Sequence, residues 1–176
     1  MPELPAYVGS MTEPAQRISY DRISGTIGSM VWLWAEIERS LKGSILTMGG
    51  EVSFGISSNL RVWSGLMQSN DPACALQNQI VERVAAHLTD ALRIRNAICH
   101  GLTGISAQRE DVAACLWVQL GDGPEERLEW DRLKALFDWM SRCEGVIANL
   151  TGAAREADPV RRARLVSGLR NFPGFL

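Results

Sequence analysis

Histidine, lysine and paired cysteine are all scarce in this chain of 176 residues, and each scarcity removes a class of chemistry. The four cysteines, Cys74, Cys99, Cys115 and Cys143, form no Cys-x-x-Cys pair and are accompanied by only two histidines, so no zinc-binding pattern is legible. Cys99 stands beside His100, but neighbouring side chains on a helix diverge by about 100° and no further ligands converge on them, so no metal is expected. Reduced thiols in a cytoplasm are the simpler reading. No apolar run reaches the roughly 18 residues of a membrane span, and the opening Met-Pro-Glu-Leu-Pro lacks the basic and apolar regions of a signal peptide. A cytoplasmic protein without membrane contact is the expectation. Gly49, Gly50 and Gly55 are followed by no Gly-Lys-Ser/Thr, which excludes a P-loop, and no cofactor-binding pattern stands elsewhere.

An excess of one charge is missing too. Eighteen basic residues face 20 acidic ones, for a net charge of −2, which gives no global attraction to nucleic acid. Lys42 and Lys134 are the only lysines, and the arginines alternate with acids until the tail, where Arg161, Arg162, Arg164 and Arg170 follow Pro159. That run reads as an ordinary solvated helix and a loose end sooner than as an RNA contact. DNA is not expected, and short single-stranded RNA or a nucleotide suits the charge better than a long duplex.

What the chain does have is helical periodicity. With 46% hydrophobic and 22% charged residues it has ordinary globular composition and enough length to bury a core. Ile27, Met30, Val31, Trp34, Ile37, Leu41 and Ile45 recur at threes and fours, which predicts a helix over about 26–46. A loop over 47–57 precedes a short helix over 59–69, capped by Ser57 or Ser58. Asn70-Asp71-Pro72 then opens a long helix to about residue 100, closed by Gly101 in a left-handed conformation. Residues 112–120 and 126–130 flank Gly121-Asp122-Gly123-Pro124 and predict a small hairpin. Asp131 caps a fourth helix, whose Leu136, Met140, Cys143, Ile147 and Leu150 suit a bundle core or a dimer seam. The fold class expected is therefore all-α: an antiparallel four- to five-helix bundle with a small β-hairpin inserted before the last long helix. Residues 1–20 read as an N-terminal arm, 21–155 as the helical domain and 156–176 as a basic C-terminal tail.

Two charges fall inside apolar stripes. On the long helix, Ile80, Val81, Val84, Leu88, Ala91, Leu92, Ile98 and Cys99 share an arc of about 120° with Arg95 near its centre, and Glu38 lies within the stripe of the first helix. An unpaired buried charge costs several kcal/mol, so Arg95 suggests an ion pair, a subunit seam or an anion site. Pairing of Glu38 with Arg95 across the helix interface would fix the guanidinium; a solvated Glu38 at the stripe's edge is the alternative. His87, at the edge of the arc, reads as a surface or packing residue, and the tryptophans as core and interface material.

Residues 95–101 read Arg95, Asn96, Ala97, Ile98, Cys99, His100, Gly101. An arginine, a polar residue, three further residues and a histidine near a helix end resemble the signature of the HEPN domain superfamily. The Trp34…Glu38…Leu41 pattern and the hairpin-plus-helix downstream extend the resemblance over roughly 22–152. It implies a homodimer with a shared cleft and a metal-independent endoribonuclease that leaves a 2′,3′-cyclic phosphate, with Arg95 and His100 catalytic and Asn96 and Glu38 supporting them. A toxin or defence component with an antitoxin partner is one such setting. The residue types suit the chemistry, since histidine exchanges protons near neutral pH and arginine holds two phosphate oxygens at once. Positions five apart on one helix diverge by about 140°, so the two meet only if the helix end distorts or two copies face each other. Two alternatives stay open: a non-catalytic HEPN-like module binding RNA, a nucleotide or a protein, and a purely structural helical dimer with Arg95 in an internal ion pair.

Overall fold

The computed structural model describes residues 17–119 and 121–169; most of the expected N-terminal arm and the last stretch of the expected tail lie outside the described residues. Five helices, α1 (Tyr20–Thr47), α2 (Ile56–Met67), α3 (Ala75–Gly101), α4 (Trp130–Arg155) and α5 (Pro159–Leu169), frame a sheet of β1 (Leu102–Ser106), β2 (Cys115–Gln119) and β3 (Glu125–Glu129). The expected hairpin is thus larger: a three-stranded antiparallel sheet in the order β1-β2-β3.

Ser19 opens α1 by accepting from the Arg22 N–H at 3.2 Å, which satisfies one of the donors a helix start leaves unpaired. The helix closes at Gly49, whose φ is +74°: Gly50 donates to Ile45 O at 2.9 Å and Gly49 to Leu46 O at 3.0 Å. This two-bond closure needs a residue at ease in the left-handed region. Two expected caps differ. Gly55, not Ser57 or Ser58, precedes α2, and Asn59 turns back to bond both the N–H and the carbonyl of Ser53. Glu129 precedes α4 without a side-chain cap, Asp131 lies in the first turn, and the Trp130 N–H is taken by Ala114 O at 3.0 Å.

Direction follows from contacts at the helix ends. Met67 at the end of α2 meets Gln77 at the start of α3, so these two helices are antiparallel. At one end of α1 the Arg22 guanidinium lies 5.7 Å from the Trp130 ring at the start of α4; at the other, Ser44 and Thr151 hydroxyls are 2.6 Å apart. α1 and α4 therefore run parallel, a departure from the all-antiparallel expectation. Both present an apolar stripe to one core, where Ile37, Leu41, Ile45, Cys143, Ile147 and Leu150 are each at most 1% exposed. The expected tail contributes as well, because α5 packs on α4 and buries Val166 and Leu169.

Gly101 is not a left-handed stop. It is the helical last residue of α3, buried, and a Cβ there would collide with the backbone of Gln119, its carbonyl carbon lying 2.8 Å away. Glycine is required because β2 crosses directly over the helix end. The same crossing explains how burial shifts along α3. Through Leu92 the buried residues follow the expected arc; beyond it Ile94, Ala97, Ile98 and Gly101 are buried, while Cys99 is exposed and Arg95 only partly covered. The sheet rotates the covered face and moves Arg95 from centre to edge.

Candidate functional site at the end of α3

Arg95 sits where α1, α3 and α4 meet, in a small apolar cavity lined by Ile27, Met30, Val31, Ile98, Cys99 and Met140. Its NH1 donates to Asn96 Oδ1 at 3.0 Å. Its Nε is buried without a hydrogen-bond partner among the described residues. No carboxylate among the described residues bridges it. Glu38 accepts instead from Lys42 Nζ at 2.7 Å, one turn along α1, and the expected Glu38–Arg95 bridge does not form. A lysine four residues after a glutamate lies on the same helix face within easy reach, so the local pair wins over a partner on another helix.

His100 is exposed in the last turn of α3, with no hydrogen bond among the described residues. Regular α-helix continues through His100 to Gly101, so the helix end does not distort to bring His100 round to Arg95. Within one chain the two side chains point about 140° apart.

Two apolar residues flank this region on α1: Val31 is 42% and Trp32 63% exposed. Val31 was expected on the buried stripe, and it leaves that stripe because Met30 and Trp34 already fill the core side of the turn. The other tryptophans are core or partly covered. His87, though exposed, rests its ring against Trp139 at 5.3 Å between centroids, in keeping with a packing residue. No group of three or more potential metal ligands occurs among the described residues, and no helix there is long and apolar enough to cross a membrane.

No family model matches the sequence, no curated protein matches it, and no solved structure matches the fold. Sequence spacing singled out Arg95, Asn96 and His100, and the structure joins the first two by a hydrogen bond while leaving the third apart. Spacing missed Trp32, which reads as one more apolar residue in a helix until its exposure is known.

Proposed function

We propose that this chain is a HEPN-like RNA-handling protein in which two copies pair across the α1/α3 face around Val31 and Trp32, giving one cleft with an Arg95, an Asn96 and a His100 from each. Arg95 holds the phosphate, Asn96 keeps its guanidinium in place, and His100 exchanges protons with the ribose 2′-hydroxyl or the leaving 5′-oxygen. The activity is metal-independent endonucleolytic cleavage to a 2′,3′-cyclic phosphate, in a cytoplasmic setting such as a toxin or defence system.

The observation that carries this reading is the Arg95 guanidinium, half-covered by apolar side chains with no carboxylate among the described residues beside it. A cation taken partly out of water without a counter-ion is costly, and a bound phosphate would supply the missing charge with two oxygens in matching geometry. The regular helix supports sharing between copies, since one chain cannot converge the pair. A second reading, RNA binding without cleavage, is favoured by one feature: nothing among the described residues orients the His100 ring, whereas proton-transferring histidines ordinarily have one nitrogen fixed by a partner.

The test is incubation of wild-type, Arg95→Ala and His100→Ala proteins with total RNA in EDTA, with the product ends mapped. Cleavage by the wild type alone, leaving cyclic phosphate, is expected, and mixing the two inactive variants should restore part of it, because a mixed dimer keeps one complete shared site. Wild-type binding of RNA that both variants lose, without cleavage, would establish the second reading.

A further inference from the structure

α5 fills only part of the space between α3 and α4. α4 ends at Arg155 and α5 begins at Pro159, and a Cβ on Gly152 would lie 3.9 Å from Leu165 Cδ1, so α5 doubles back along α4. On its other side it follows α3 from that helix's start: Arg162 NH1 donates to Cys74 Sγ at 3.0 Å, and Val166 shares a cavity with Leu76 and Gln77. Val166 and Leu169, its buried residues, close the space as far as the helix end. Further along the same two helices, His87 of α3 and Trp139 of α4 meet with ring centroids 5.3 Å apart, the imidazole exposed and the indole half-buried against the core. Leu136, one turn beyond Trp139, is half-buried against the core as well. α5 stops short of this partly covered aromatic pair.

The sequence beyond Leu169 reads Arg170-Asn171-Phe172-Pro173-Gly174-Phe175-Leu176. Val166, Leu169, Phe172 and Phe175 place an apolar residue at every third position. Proline cannot continue a helix and holds the residue before it to extended backbone, and a polyproline-type segment turns once in three residues, so Phe172 and Phe175 share one side. Reach agrees with pattern. At 1.5 Å per residue, His87 lies about 15 Å beyond Gln77 along α3, and Trp139 about 20 Å beyond Gly152 along α4. α5 itself covers about 4.5 Å of the first path, from Val166 to its end, and about 6 Å of the second, from Leu165. About 10–14 Å remains, which three to four extended residues span, and both paths bring the chain to the aromatic pair at about Phe172. We propose that the groove between α3 and α4 beyond α5 is the docking site of this chain's own residues 170–176, with Phe172 seated against His87 and Trp139 and Phe175 further on towards Leu136. Taking two phenyl rings out of water drives the docking, and stacking on an existing aromatic pair orients the first of them. The segment starts at the rim of the groove, so closing it costs little chain entropy and its effective concentration exceeds that of any free partner. α3, the helix that carries Arg95 and His100, is thereby fastened to α4 over the length α5 leaves open, whatever those two residues do.

The experiment uses the full chain with isotope-labelled phenylalanine rings, read by nuclear Overhauser contacts. The chain has only two histidines, so the His87 ring signals are identified by their loss in His87→Gln, and those of Phe172 by their loss in Phe172→Leu. The expected result is direct contacts from the Phe172 ring to the His87 and Trp139 rings in the wild type. In Phe172→Ala, hydrogen exchange of the α4 amides around Trp139 should quicken about tenfold, while amides of the sheet change less. Should that variant not fold, the wild-type contacts decide. Mixing labelled with unlabelled protein separates the copies. Contacts found only between copies would put a second molecule's segment in the groove and overturn the proposal. No contact from Phe172 to either ring, or α4 exchange in folded Phe172→Ala equal to that of the wild type, overturns it as well.

Discussion

Replacing Arg95 by Met keeps an aliphatic side chain in the cavity beside Met30 and Ile98 and deletes the guanidinium. Breaking a buried ion pair by removing one partner typically costs about 3–5 kcal/mol. Because no carboxylate among the described residues bridges Arg95, Arg95→Met should change stability by less than about 1 kcal/mol in either direction, measured by urea unfolding; a loss of several would return Arg95 to a structural role. Gly101→Ala makes the opposite case. The added methyl meets the backbone of Gln119, which cannot give as a side-chain tip does, so about 2 kcal/mol or more should be lost. Cys143 supplies a pH effect. Its thiol, raised by burial, stays protonated when folded, while the unfolded chain ionises it above about pH 8.5. The unfolded state then binds fewer protons, and stability falls as pH rises, by up to about 1.4 kcal/mol per pH unit. Unfolding curves between pH 8 and 10.5 should be flatter by that amount in Cys143→Ala than in the wild type.

Among elements, the parallel pair α1 and α4 is joined at one end by two hydroxyls that need each other. Ser44 and Thr151 are buried, their oxygens 2.6 Å apart, and Thr151 also donates to Ile147 O at 2.7 Å. Thr151→Val leaves the Ser44 hydroxyl without that partner and should cost about 1–2 kcal/mol. Adding Ser44→Ala removes the orphan, so the double variant should lose less than the sum of the single losses; simple additivity in urea unfolding would show that the two hydroxyls do not couple. No such pairing could be read from either helix alone. Periodicity of threes and fours gave the buried faces of α1 and α4 because every helix against a core must follow it, but it says nothing of which helix lies alongside or in which direction. For the same reason Arg95 read as central: its arc was drawn from α3 alone, and β2, which rotates the covered face, follows an edge strand that Gly101 and Gly104 disguise as loop. The helical positions of Asn96 and His100 were legible because they depend on spacing within one helix, whereas Cys74 and Arg162 are 88 positions apart and no local pattern joins them.

At the scale of the molecule, charge limits what the proposed cleft can hold. The arginines that looked free in the tail are partly engaged: Arg161 lies 3.6 Å from Asp158, and Arg162 is held by Glu156 O and Cys74. Elsewhere several basic side chains sit beside acids, as in Arg39–Glu36, Lys42–Glu38, Arg93–Glu126 and Lys134–Asp138. Arg95 stands apart in being partly buried while no carboxylate among the described residues bridges it. A dimer built on it therefore offers two unneutralised guanidiniums to an RNA strand. Counterion release makes the logarithm of affinity fall with the logarithm of salt at a slope of about −0.7 per phosphate contacted on a single strand. Two contacts give a slope of about −1.4, to be measured with a short single-stranded oligonucleotide from 50 to 300 mM salt. In Arg95→Ala the slope should collapse along with the affinity. A slope steeper than about −4 that survives Arg95→Ala would mean that many phosphates are held elsewhere, and would move the RNA path away from the end of α3.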